Sequence, residues 1–275
     1  FEMKKTINIG LTGSTGSLGK VVLKNFRLKK INTFKNDITN RKKVFEWIQK
    51  NNFDVIIHLA AVVPIKTVNK NRTKAKNVNF YGTKNIVDAC VKSNISWFFF
   101  SSTSHVYSSS KNKISENFST KPISFYGNTK LQAEKYIIKK LNKKKISYCI
   151  GRIFSTTNKD QKKGYLIPDL KKRISKSKKK LVLKNLNHFR DFISMTNISK
   201  VIFYLLNKRY KGIINIASGN PIHLKDIALT ILKKHNKKNY EFIDNTTATS
   251  LVGNISKLKK ITNLRINDSI KKLIF

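Results

Sequence analysis

Thr6-Ile7-Asn8-Ile9-Gly10-Leu11-Thr12-Gly13-Ser14-Thr15-Gly16-Ser17-Leu18-Gly19 is the stretch that decides the fold. Its first half, Thr6 to Leu11, is a short β-type run. Its second half places Gly13, Gly16 and Gly19 ahead of a helical apolar pattern made by Leu18, Val21, Val22 and Phe26. A glycine loop between strand and helix lets the backbone approach a pyrophosphate, whose charge the helix N-terminus then stabilises. The chain has 11 glycines, so three within seven residues is a real concentration. The spacing is GxxGxxG rather than the GxGxxG of the usual dinucleotide fingerprint, and a tight turn is the competing reading.

Outward from the loop, strands and helices alternate. An acidic turn, Asn36-Asp37-Ile38-Thr39, precedes a helix from Arg41 to Lys50 and a buried strand from Asp54 to Ala61. A helix over Asn79–Ser93 leads to a strand over Trp97–Ser101, and a helix over Tyr126–Leu141 leads to a strand over Ile146–Ile150. The strands are too continuously apolar to have a wet face, which predicts an α/β fold with a parallel sheet covered on both sides. A dinucleotide-binding domain is expected over residues 1–155. Residues 156–275 read as mainly a smaller substrate-binding lobe, with a segment near 212–218 returning to the sheet. The second strand looks compressed into Arg27–Phe34. No acidic residue closes it at the expected place, so NAD and NADP both stay open as cofactor.

Composition narrows the class. The chain has 275 residues, 40% of them hydrophobic, and four prolines, as a packed globule has. Cys90 and Cys149 sit in helix and strand interiors and read as buried thiols of a reducing compartment. No signal peptide or membrane span is expected, because the longest apolar run, Val55 to Ile65, contains His58 and Pro64. A cytoplasmic location follows. No metal site is expected. The net charge of +43 would attract polyanions. The lysines are spread over the whole chain with no recognition motif, however, and the densest cluster, Lys171–Lys180, reads as a solvated helix face and loop, so nucleic acid is not the expected partner.

Tyr126 and Lys130, in Ser124-Phe125-Tyr126-Gly127-Asn128-Thr129-Lys130, raise the question of catalysis. With 57 Lys and Arg residues, a Tyr–Lys pair four apart arises by chance, and Tyr107–Lys111 and Tyr136–Lys140 are two more. Context separates them. Tyr107 lies in a serine-rich loop and Tyr136 in mid-helix, whereas Tyr126 opens a helix with small residues between it and Lys130, which shares its helix face.

With the glycine loop, His58-Leu59-Ala60-Ala61, Ser101-Ser102-Thr103-Ser104-His105-Val106-Tyr107 and the Tyr126–Lys130 segment in this order, the chain resembles the extended short-chain dehydrogenase/reductase family. More narrowly, it is similar to the nucleotide-sugar epimerase/dehydratase/reductase branch. The resemblance runs almost end to end. It implies a Rossmann-type doubly wound parallel sheet and a likeness of Asp37-Ile38 to an adenine-contacting turn. Leu59, Ala60, Ala61 and Ser101 would line the cofactor with Gly13, Ser14, Thr15, Gly16, Ser17, Leu18 and Gly19. Asn79 would open the next helix at the same site.

The resemblance also assigns roles. Tyr126 would act as acid/base and Thr103 would hold the substrate oxygen. Lys130, together with the positive nicotinamide of an oxidised cofactor, would lower the phenol pKa, and Lys130 would hydrogen-bond the nicotinamide ribose. A free phenol titrates near ≈10, and bringing it toward neutrality corresponds to roughly 4 kcal/mol. Arg190, in His188–Ile193, would bind the phosphates of a nucleotide-diphosphate sugar, with Ser104 and Ser155 near the substrate. His105 is a candidate extra acid or base, with a packed histidine as the competing reading. Ser104-His105 stands where dehydratases of the branch carry Asp-Glu, which argues against dehydration. Two further departures are Thr196-Asn197, where an Asp-Asp pair is common, and Ser155, where an Asn is common. The expected activity is a 4-keto reductase or 4-epimerase acting at the sugar C4, working as a homodimer. A cofactor-binding sensor without catalysis is the alternative, and charge-driven nucleic-acid binding a third reading. Ile86, Val87, Ile137 and Ile138 fit either a core or a dimer interface.

Overall fold

The structure is a computed structural model that describes residues 7–26, 30–63, 65–158, 161 and 164–274. Part of the expected short second strand, Arg27–Lys29, lies outside these residues. The first half of the chain runs β1 (Asn8–Thr12), α1 (Ser17–Asn25), β2 (Lys30–Thr33), α2 (Arg41–Asn51), β3 (Val55–His58), α3 (Ile65–Lys70) and α4 (Arg72–Lys76). A wider helical turn, Asn77–Gly82, then leads into α5 (Thr83–Val91), β4 (Trp97–Thr103), α6 (Phe125–Lys143) and β5 (Ser147–Ile153). Next come β6 (Ser155–Thr157), α7 (Leu166–Lys176), β7 (Leu181–Lys184), β8 (His188–Ser194), α8 (Met195–Asn207) and β9 (Gly212–Ile216). The chain closes with β10 (Pro221–His223), α9 (Leu224–Lys234), β11 (Tyr240–Ile243), β12 (Thr249–Leu251), α10 (Ser256–Thr262) and α11 (Ile270–Ile274).

Six strands form one parallel sheet in the order β2-β1-β3-β4-β5-β9. The period of two along each strand sorts its side chains to opposite faces. Val55, Ile57, Trp97 and Phe99 pack with α1 and α8 through Val22, Phe26, Ile198 and Leu205. Ile56, Phe98 and Phe100 pack on the other face with Val44, Ile48, Ile86, Val87 and Ile137 of α2, α5 and α6. Both faces are therefore dry, which is why these strands tolerate no polar alternation. Ile86, Val87 and Ile137 are core residues, and Ile138 packs against the same cluster. That answers, on the side of the core, the question the sequence leaves open for Ile86, Val87 and Ile137, while Ile138 is half-buried.

The strand order reverses between β1 and β3, whose outer neighbours lie on opposite sides. In open parallel sheets that reversal leaves a crevice beyond the strand ends, where ligands bind. The second layer of architecture stands over this crevice. Strand β8 pairs with β10, β12 and β6, β11 pairs with β7, and Ile174, Leu181, Leu183, Ile231 and Leu273 form a separate core there. Asp191 ties the parts together. Its buried carboxylate accepts hydrogen bonds from the backbone of Ser218, Gly219 and Gly253 and from the Ser218 hydroxyl. Among the described residues, Lys130 and Arg152 are the lysine and arginine side chains shielded from solvent.

Candidate active site

The crevice opens into a cavity of about 1400 Å³. Pockets for a single small ligand measure about 300–1,000 Å³, so this one has room for two partners end to end. Gly13 to Gly19 form its floor at one side, with Thr33 to Ile38 beyond them, and Leu59, Ala60 and Ala61 line the switch point. Gly13 has φ +76, and a Cβ there would lie 2.6 Å from the backbone nitrogen of Ala60. Only glycine lets the loop close against β3 in this way. The loop leads directly into the N-terminus of α1, whose unpaired amides favour an anion. This backbone cradle, open at Gly16 and continuous with an elongated crevice, fits a dinucleotide.

At the adenosine end of such a ligand, Asp37 is exposed on the cavity wall and is held through one of its carboxylate oxygens. Its Oδ1 accepts both the backbone amide and the hydroxyl of Thr39 at 2.9 Å. Lys35 is exposed on the cavity wall beside it, and Lys43 reaches Asn36 at 3.4 Å. Strand β2 exists and pairs with β1 over Lys30–Thr33, and Phe34 continues the ladder through its amide to Leu11.

Ser101, Thr103, His105 and Tyr126 meet at the middle of the wall. Ser124 caps α6 by accepting the amide of Gly127 at 3.0 Å, which sets Tyr126 in the first turn. Thr103 ends β4; its Oγ1 accepts the amide of His105 at 3.2 Å, and its side chain stands beside Tyr126 on the wall. The His105 ring meets the Tyr126 ring edge to face, with centroids 5.9 Å apart. Burial, and then the charge of Arg190, push the His105 pKa down to about 4.

Lys130 lies one turn along α6, and its ammonium stands 4.0 Å over the Phe100 ring, behind the wall rather than on it. Burial drives its pKa down to about 7, partly offset by Glu134. The expected lowering of the Tyr126 pKa is not what the pocket does by itself. Burial, reinforced by Tyr165, raises it, and the Thr103 side chain opposes only in part. Desolvation disfavours the charged phenolate.

Arg190, on β8, faces the far half of the cavity. Its guanidinium donates to the carbonyls of Phe189 and Thr249 at 2.7 and 3.0 Å and to the Thr249 hydroxyl at 2.9 Å. These bonds fix its position, and burial lowers its pKa. Ser155 also lines the wall. Ser104 does not: the tight turn after Thr103 buries it. Asn79 is fully buried and spends its carboxamide on the backbone of Val62. Asn197 donates to Asp268 at 2.9 Å, so the carboxylate beside the start of α8 comes from the chain's last segment.

The wall also holds residues the sequence reading passed over. Tyr165, Phe192, Met195 and Leu224 give the far half an apolar and aromatic surface, and Arg173 and Lys184 add positive charge. Tyr165 stands directly after Gly164 and ahead of α7, a weak signal for a helix opening onto a site. Among the described wall residues the carboxylates are Asp37 and Asp169. Neither joins the group around Tyr126. Glu134 lies behind the wall, locked to Arg152 at 2.7 Å and to Ser102.

Comparison with known proteins agrees with this geometry. Residues 9–217 match the family described as NAD dependent epimerase/dehydratase. A GDP-6-deoxy-D-talose 4-dehydrogenase of Aggregatibacter actinomycetemcomitans is 27% identical over 273 residues, covering 93% of this chain and 91% of that protein. A dTDP-4-dehydro-6-deoxyglucose reductase of Escherichia coli is 28% identical over 251 residues, covering 85% and 78%. In fold, the chain superposes on Pseudomonas aeruginosa RMD, solved with NADPH, with a TM-score of 0.87 and 18% identity, covering 98% of this chain and 96% of that one.

Proposed function

The chain belongs to the NAD dependent epimerase/dehydratase family, and on that premise we propose that it reduces the 4-keto group of a nucleotide-diphosphate sugar, using NADPH. The observation that carries this reading is the group of Thr103, Tyr126 and His105 at the junction of the glycine-loop crevice with the Arg190 half of one cavity. The two sequence relatives named above are both redox enzymes at a sugar C4, as their names state.

Gly13 to Gly19 would hold the cofactor's pyrophosphate, and Lys35, exposed on the wall at the adenosine end, offers a cation to a 2′-phosphate. When bound, the nicotinamide supplies the hydride. Tyr126 gives its phenolic proton to the oxygen at C4, with Thr103 fixing that oxygen's direction. A raised phenol pKa keeps Tyr126 protonated in the pocket, the form a reduction needs. Lys130 supplies positive charge from one helical turn away. Arg190, with Arg173 and Lys184, binds the diphosphate, and Tyr165 and Phe192 offer faces for a base. His105, neutral near pH 7, packs against Tyr126 as a hydrogen-bonding wall residue. Dehydration has no support among the described wall residues, none of whose carboxylates joins the group around Tyr126.

A homodimer is part of the same reading, formed through the outer faces of α5 and α6, where Tyr136 and Ile138 are half-buried. So is the cytoplasm, where the free thiols of Cys90 and Cys149 would stay reduced.

The deciding experiment incubates the purified protein with NADPH and a panel of nucleotide-activated 4-keto sugars. The absorbance of the reduced nicotinamide is followed and the product identified by NMR. Stoichiometric oxidation of NADPH supports the reductase. Interconversion of C4 epimers on tightly retained NAD, with no net cofactor use, replaces it with the 4-epimerase. Failure to bind either cofactor refutes both.

A further inference from the structure

Thr12, His58, Asn79, Thr83 and Thr129 are all buried behind the cavity, and the chemistry at the wall uses none of them directly. Their hydrogen bonds nevertheless form one chain, and its direction can be worked out because each hydroxyl has a single proton to give. Thr83 donates to the carbonyl of Asn79 at 2.8 Å. Toward His58 Nε2, 2.9 Å away, Thr83 must therefore accept, so Nε2 carries the proton. His58 Nδ1 is left to accept, and takes the Thr12 hydroxyl at 2.6 Å. Thr12 Oγ1 in turn receives the amide of Ala60 at 3.3 Å.

The other end is equally directed. Asn79 accepts the Val62 amide at 2.8 Å, and its amide group donates to the Val62 carbonyl at 3.0 Å and to Thr129 Oγ1 at 3.4 Å. Thr129 gives its own proton to the carbonyl of Tyr126 at 2.8 Å. One path thus leads from Thr12, the residue before the glycine loop, through the imidazole to the turn that carries Tyr126. The ring is stacked on Phe100 with centroids 5.8 Å apart. A neutral ring is also what its surroundings favour: burial first, and then the charge of Lys130 on α6, lower its pKa to about 3.

We propose that His58, as the neutral Nε2–H tautomer, is a positioning residue that holds the glycine loop and the Leu59–Ala61 wall in register with the turn carrying Tyr126. Its effect on cofactor binding rests on the function proposed above; its tautomer does not.

The first readout is a proton–nitrogen correlation spectrum of the histidine rings in the labelled full chain. His58 is expected to show a protonated Nε2 and a bare Nδ1, unchanged from about pH 5 to about pH 8. The second is NADPH affinity, from quenching of tryptophan fluorescence, in Thr83→Val, Thr83→Ser and His58→Gln. Valine removes the acceptor at constant shape, and is expected to weaken binding about fivefold to tenfold while the far-UV circular dichroism stays native. Serine, and the carboxamide at position 58 with its one donor and one acceptor, are expected to stay within about twofold of wild type. An Nδ1-protonated ring, or titration within that pH range, overturns the relay without any variant needing to fold. Unchanged NADPH affinity in Thr83→Val overturns the positioning role. A wild-type chain that binds neither NADPH nor NADH sinks the proposed function itself.

Discussion

The carbonyl oxygen of His105 lies where a side chain on residue 127 would begin: a Cβ added to Gly127 would stand 2.1 Å from it. The start of α6 and the turn after β4 therefore touch backbone to backbone, which sets Tyr126 beside Thr103 on the wall. Gly127→Ala must push them apart. It is expected to lower stability by about 1–3 kcal/mol, as overpacking does, and to reduce kcat more than it raises KM. Thermal unfolding and steady-state kinetics check both.

Tyr126→Phe removes the proton donor and keeps the ring against His105. Activity is expected to fall about 10²–10⁴-fold, while NADPH affinity in a fluorescence titration stays near wild type. A variant retaining most of its turnover would remove Tyr126 from the chemistry.

Lys35 decides the cofactor in this reading. NADPH is expected to bind tighter than NADH, and Lys35→Ala to weaken NADPH about fivefold while leaving NADH unchanged. Because the lysine is exposed, the NADPH advantage should also shrink as salt is raised. Calorimetric titrations of both cofactors at low and high salt test this, and equal affinities would return the choice to NAD.

Lys130, His58 and His105, whose pKa values burial lowers, contribute to the pH dependence of stability. Lys130 titrates at about 7 when folded and near 10.5 when unfolded. Between those values the unfolded chain holds the extra proton, so stability rises with pH across that window and is lost as pH falls through it. His58, at about 3 folded against 6.5 unfolded, repeats the pattern in acid, with stability falling from about pH 6.5 downward. Lys130→Met should flatten the alkaline slope and His58→Gln the acid one, read as melting temperature against pH.

Glu134 and Arg152 form a buried pair with 2.7 Å between Nη2 and Oε2. Glu134→Ala leaves the guanidinium unpaired and is expected to cost about 3–5 kcal/mol. Replacing both by leucine should recover part of that loss, since desolvation of the pair largely offsets its attraction. Urea unfolding of the single and double variants measures the difference.

What could be read from the chain in advance were features whose requirement is local. Gly13 announces its positive φ and close approach within a strand–loop–helix pattern, and the apolar runs at Val55–Ile57 and Trp97–Phe100 announce a sheet covered on both faces. Tyr126 stood out because the helix start around it is written in consecutive residues. Hidden from that reading were relationships closed only by the fold. Thr12 meets His58 across 46 residues, and Asn215 meets Tyr107 across 108. Asp191 gathers amides from Ser218, Gly219 and Gly253, which no spacing connects. The burial that raises the Tyr126 pKa is hidden in the same way: charge proximity is visible in a four-residue spacing, whereas depth of burial is not.

Among the described residues, the lysine and arginine side chains shielded from solvent are Lys130 and Arg152. Nearly all the lysine that gives this protein its charge stands in solvent, where gaining or losing one changes stability little. Resurfacing the exposed lysines to glutamine or glutamate, sparing those on the cavity wall, should yield a near-neutral enzyme with its kinetics intact.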